Sequence, residues 1–195
     1  MAEFVAVMRR LQVECAWKAA QTHHSLARYL LEETYETLEA LDTGDAGLLR
    51  EELGDLLLQV VLHSVMAERS GEFTFADVVG DITAKVVRRN THVFGDVDAT
   101  GMTPDEISEV WQAAKATEKQ RSSVHEGIPE ALPALLYADK VAERLERAGS
   151  PVEVPGGDAE GDLGERLLAL VLEAREAGAD PEQALRAAVR RRLPG

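Results

Sequence analysis

The chain has 195 residues, of which 45% are hydrophobic, 29% charged and 5% aromatic, with a net charge of −14. That length holds one good-sized domain, or a domain with an appendage, and the abundance of Ala, Leu, Glu and Arg leans towards helices. The acidic balance excludes general coating of nucleic acid, and the single Cys15 excludes an intrachain disulfide and fits a reducing compartment.

The N-terminus has no extended apolar core of the signal-peptide kind. The longest apolar stretch, residues 56–67, is interrupted by Gln59, His63 and Ser64 and is too short to cross a bilayer. A cytoplasmic protein without a membrane partner is expected.

Residues 3–13 read as a short helix with Phe4, Val7, Met8 and Leu11 on one face. A loop around Cys15-Ala16-Trp17 follows. On a helix through residues 29–41, Leu31, Thr34, Tyr35, Leu38 and Leu41 share one side, and Glu32, Glu33, Glu36 and Glu39 the other. The breaker cluster of residues 42–47 turns the chain back.

The next segment, 52–66, is apolar around most of its circumference, with one polar stripe formed by Glu52, Asp55, Gln59 and His63. Residues three apart on a helix rise about 4.5 Å and point the same way, so Glu33/Glu36 and Glu52/Asp55 are two pincers. Antiparallel packing of the two helices brings the pincers face to face. Each like-charge pair at about 4 Å then costs roughly 4 kcal/mol at an effective dielectric near 20. Four such carboxylates suit a hard divalent cation, Mg²⁺ or Mn²⁺. A di-iron bundle would want Glu-x-x-His, whereas the partners here are Glu36 and Asp55.

Thr74 and Asp77 form a capping pair for a helix carrying Val78, Ile82, Val86 and Val87 and ending in Lys85, Arg88, Arg89 and Asn90. Residues 91–102 read as loop. Thr103-Pro104-Asp105-Glu106 opens a helix with Trp111, Lys115 and Lys119. A connector from His125 to Pro133 leads to a helix over 135–147, and residues 149–161, rich in Pro and Gly, read as a linker. Residues 162–171 echo residues 52–61, and Asp180-Pro181 caps a helix ending in Arg190-Arg191-Arg192. Residues 162–195 thus look like the remnant of a second repeat, with a structural role because no counterpart of the Glu32–Glu36 helix accompanies them.

Magnesium held by carboxylate pairs keeps open positions for water and phosphate oxygens. Lys85, Arg88, Arg89 and Lys115 are natural phosphate partners beside it, and Trp17 and Trp111 have rings able to stack on a base. No Gly-x-x-x-x-Gly-Lys-[Ser/Thr] loop is present, so the chain is not a P-loop NTPase.

Glu33-x-x-Glu36, fifteen residues, then Glu52-x-x-Asp55 resembles the signature of the MazG-type nucleoside triphosphate pyrophosphohydrolases, of the all-α NTP pyrophosphatase superfamily. The likeness runs through residues 29–36, 49–57, 88–94 and 111–119, and covers about residues 5–148. It implies an all-α antiparallel bundle completed by dimerisation, with a catalytic domain over 1–148. It also implies Mg²⁺-dependent hydrolysis of NTPs and dNTPs between the α and β phosphates, in the service of nucleotide-pool cleaning.

By the same resemblance Glu33, Glu36, Glu52 and Asp55 are metal ligands with Glu32 beside them. Lys85, Arg89, Lys115 and Arg88 contact phosphates, and Trp111 lies near the nucleotide. The chain departs from the family's Cys-Pro-Trp-Asp-x-x-Gln-Thr-His at Ala16 and Lys18. That departure leaves two alternatives open: an enzyme restricted to one dNTP or a damaged nucleotide, or a non-catalytic nucleotide sensor.

Overall fold

The computed structural model describes residues 1–118, 123–124, 126–153 and 162–193. Lys119, His125 and most of the expected linker lie outside the described residues. Those residues form helices joined by turns and loops, with no strand among them. They gather into two compact units, Met1–Ala116 and Thr117–Gly195. This division does not coincide with the boundary drawn at residue 148 from the resemblance.

In the first unit, α1 spans Ala2–Glu14, α2 is the single turn Ala16–Ala19, α3 spans His23–Thr43 and α4 spans Ala46–Ser70. Both long helices run further than their apolar periodicity predicts, because each has a strong start and stop. Thr22 and Ser25 cap each other's backbone at the head of α3, and Asp45 accepts from the amides of Gly47 and Leu48 at the head of α4. Gly44 (φ 70°) and Gly71 (φ 76°) end them in the left-handed conformation that only glycine adopts without strain.

Three further helices complete the unit: α5 (Phe75–Arg89), the single turn α6 (Thr91–Phe94) and α7 (Pro104–Glu118). The Thr74/Asp77 box at the head of α5 is present as the sequence predicts, and Thr103 and Glu106 cap α7 in the same way. Residues 91–94 were expected as loop; the backbone instead closes one helical turn, with the Val93 and Phe94 amides donating to the Asn90 carbonyl.

The core of this unit is Val5, Met8, Leu26, Val61, Leu62 and Val65, joined by half-buried Phe4, Leu11, Tyr29, Leu57 and Phe75. It therefore sits where α1 and the start of α3 cover the C-terminal half of α4.

The facing of α3 adds what the apolar periodicity leaves open. Leu31, Tyr35 and Leu41 are exposed, while Leu26, Thr37 and Ala40 are buried and Glu33 is half-buried. Positions 26, 33, 37 and 40 lie on one helical stripe, so α3 turns a glutamate inward and leaves an apolar stripe open. Nor is α4 buried all round: Leu53 and Val60, seven residues apart on one side of it, are 51% and 41% exposed.

In the second unit, α8 (Ala134–Arg147), α9 (Leu163–Glu176) and α10 (Pro181–Arg190) pack against one another. Arg175 ties α9 to α8 by donating to Asp139 at 3.0 Å and Glu146 at 2.7 Å. Ala142, Val171 and Pro181 form the buried centre.

Candidate functional site

Helix α3 presents Glu33 and Glu36 one turn apart, and α4, returning antiparallel after the Gly44–Asp45 turn, presents Glu52 opposite them. One carboxylate oxygen from each of the three lies within 4.8 Å of the others. Glu36 is exposed, and Glu33 and Glu52 are half-buried.

Partial burial, then the charges of Asp55, Glu36 and Glu52, pushes the Glu33 carboxyl above the usual carboxylate range. Burial and then Glu36, Asp55, Glu51 and Glu39 push Glu52 up in the same way. Asp55 stands outside the three-oxygen set yet is close enough to repel two of its members. Glu32, one turn before Glu36 on α3, is exposed and does not join the set.

An all-oxygen set held under mutual repulsion, with no cation side chain among the neighbours that shift it, suits a hard divalent ion. One further atom fits that chemistry. Gln59, 4% exposed, donates through Nε2 to Glu33 Oε1 at 3.4 Å, and its Oε1 is buried without a partner among the described residues. Gln59 was legible only as part of the polar stripe of α4, not as a site residue. Its neighbour one turn on, His63, meets His23 at the head of α3, with the two Nδ1 atoms 2.7 Å apart. Neither histidine was predicted to belong to the site, although positions 55, 59 and 63 continue that stripe.

Two of the expected phosphate partners, Arg89 and Lys115, meet at Trp111. The Arg89 guanidinium lies 5.1 Å from the Trp111 ring centroid and the Lys115 ammonium 5.3 Å from it. Arg89 is buried, while Lys85 and Arg88 are exposed on α5. Trp17, half-exposed, packs edge-on against Tyr29 with centroids 5.9 Å apart, and the Lys18 ammonium sits 5.5 Å from its ring. The candidates thus form a carboxylate group on α3 and α4, a cation group on Trp111, and Trp17 with its own cation.

Residues 21–94 match the family model for the MazG nucleotide pyrophosphohydrolase domain. That span holds all the carboxylates, both histidines, Lys85, Arg88 and Arg89, but not Trp17, Trp111 or Lys115. The chain is 35% identical over 212 aligned positions to the nucleoside triphosphate pyrophosphohydrolase/pyrophosphatase MazG of Thermotoga maritima, covering 97% of this chain and 81% of that protein. It is 39% identical to the nucleoside triphosphate pyrophosphohydrolase of Escherichia coli K12, over 74% of this chain and 57% of the relative. Among solved structures, a mazG-related protein from Thermotoga maritima superposes with a TM-score of 0.51 at 22% identity, covering 60% of this chain and 99% of that one. The last likeness concerns the fold.

Proposed function

The chain belongs to the MazG nucleotide pyrophosphohydrolase family, and on that premise we propose that it hydrolyses nucleoside triphosphates, NTPs and dNTPs, between the α and β phosphates. The observation that carries the reading is the set of three carboxylates, Glu33, Glu36 and Glu52, whose oxygens converge within 4.8 Å. Water adds to the α phosphorus, the bond from that phosphorus to the α–β bridging oxygen breaks, and the products are the monophosphate, pyrophosphate and a proton.

Glu33, Glu36 and Glu52 would hold Mg²⁺, or Mn²⁺ in its place, with Asp55 alongside. When bound, the cation polarises phosphoryl oxygens and makes a water more acidic. Glu33 and Glu52, raised by burial and then by neighbouring charge, would be held as carboxylates by a cation bound there. Arg89 and Lys115, both against Trp111, supply positive charge for the leaving pyrophosphate, with Lys85 and Arg88 along the same helix as Arg89. Trp17 offers an apolar face to the base.

A narrower substrate range has its own support. Lys18 lies over the Trp17 ring, at the position where the family's usual acidic residue is replaced, so a base stacking there displaces or contacts an ammonium group. The open stripe of Leu31, Tyr35, Leu53 and Val60 favours pairing with a second copy, completing the bundle. A cytoplasmic role in clearing nucleotides fits this chemistry.

The test is hydrolysis in oxygen-18 water with product analysis. Label in the monophosphate supports attack at the α phosphorus. Label in pyrophosphate, or release of orthophosphate, refutes it.

A further inference from the structure

Gln59 and His63 occupy successive turns of α4, and each has a buried polar atom without a partner among the described residues: Gln59 Oε1 and His63 Nε2. Their other polar atoms are engaged, Gln59 Nε2 with Glu33 Oε1 at 3.4 Å and His63 Nδ1 with His23 Nδ1 at 2.7 Å. The imidazole planes are within 11° of parallel, and their centroids are 5.0 Å apart. Rings stacked face to face cannot bring two nitrogens to 2.7 Å. The rings therefore meet edge to edge in nearly one plane, joined by an N–H···N hydrogen bond with a single proton between the two nitrogens.

Burial, then the neighbouring His23, holds His63 below the usual imidazole range, so its ring is neutral near pH 7 and carries one N–H. Two facts set the direction of the proton. Gln59 turns its amide nitrogen to Glu33, which leaves Oε1 as the acceptor end. The negative field of Glu33, Glu36 and Glu52 favours N–H dipoles pointing towards it. His63 then carries its proton on Nε2, the nitrogen remote from His23, and accepts at Nδ1. One water bridging the donor Nε2–H and the acceptor Oε1 would satisfy both buried atoms.

We propose that His23, His63 and Gln59 are positioning residues for Glu33, joined in a one-way hydrogen-bond chain. His23 Nδ1–H donates to His63 Nδ1, His63 Nε2–H reaches Gln59 Oε1 through one water, and Gln59 Nε2–H donates to Glu33 Oε1. The chain holds the Glu33 carboxylate turned towards Glu36 and Glu52. Its consequence for cation affinity rests on reading those carboxylates as ligands, as above; the hydrogen bonds themselves do not.

Long-range proton–nitrogen NMR of the imidazoles, on the full chain without divalent ions, tests the direction. The expected result is His63 protonated at Nε2 and His23 at Nδ1; His63 protonated at Nδ1 overturns the chain. Mn²⁺ titration then tests its effect. Gln59→Leu and His63→Leu weaken affinity about tenfold, while His63→Gln, which restores an N–H near the Nε2 position, recovers most of it. Folding of each variant is checked by helicity and thermal midpoint. Equal Mn²⁺ affinity in wild type and His63→Leu overturns the positioning role. If the wild type binds no Mn²⁺, the ligand reading falls, and the tautomers still decide the chain.

Discussion

The Arg89 guanidinium is buried against the Trp111 ring, 5.1 Å from its centroid, and the Lys115 ammonium approaches the same ring at 5.3 Å. A residue expected to serve the base is thus engaged by two cations. Each such contact is worth about 0.5–1 kcal/mol when exposed and about 2 when desolvated. Trp111→Ala should therefore raise KM for a triphosphate by about fivefold to thirtyfold with a smaller change in kcat, and Trp111→Phe should recover most of the loss. Steady-state kinetics with both variants checks this; an unchanged KM in Trp111→Ala removes the residue from the binding of phosphate.

Glu33→Gln should have opposite effects on stability and on cation binding. The Glu33 and Glu52 carboxyls lie above the ordinary carboxylate range, chiefly through burial and then through neighbouring charge. Between the unfolded value, about 4.3, and the raised folded value, the folded chain binds more protons than the unfolded one. Stability is consequently lost as pH rises through that window. In EDTA, the thermal midpoint of Glu33→Gln should gain on wild type from about pH 4 upward, as the variant removes a repelled charge. Magnesium should raise the wild-type midpoint at neutral pH and the variant's much less. A midpoint difference that stays flat with pH contradicts the cluster's electrostatics.

Leu62, 1% exposed in the core, should cost about 2–5 kcal/mol when truncated to Ala. Urea unfolding followed by helicity measures it, and a loss below about 1 kcal/mol would place Leu62 outside the core.

Arg175→Met should weaken the second unit by about 1.5–3 kcal/mol, because it removes charged hydrogen bonds to Asp139 and Glu146. Chemical denaturation checks the loss, and wild-type stability in Arg175→Met would show that the pairs are only surface contacts.

The Glu33/Glu36 pincer was legible because i,i+3 spacing is a property of the helix alone; Glu52 meets it from α4, while Asp55, the other half of the second pincer, stands outside the converging set. The inward face of α3 was not. The sequence puts Leu31, Tyr35 and Leu41 on one side of α3 and the glutamates on the other, without telling which positions are buried; packing selects Leu26, Thr37 and Ala40. A carboxylate turned inward lowers the apolar count of the face that carries it, so apolar periodicity alone does not find that face. The helix ends were missed for a simpler reason, since the caps at Thr22 and Asp45 lie outside the apolar pattern. The His23–His63 contact joins residues forty apart and has no local signal.

The most direct measurement is pyrophosphate release from a panel of NTPs and dNTPs, in Mg²⁺ and in EDTA, with wild type and Glu52→Gln side by side. The account predicts equal amounts of monophosphate and pyrophosphate from wild type in Mg²⁺, none in EDTA, and a loss of at least about a hundredfold in Glu52→Gln, for which removal of a cation ligand is sufficient. Folded wild-type protein that releases no pyrophosphate across the panel, or a Glu52→Gln variant as active as wild type, would contradict it.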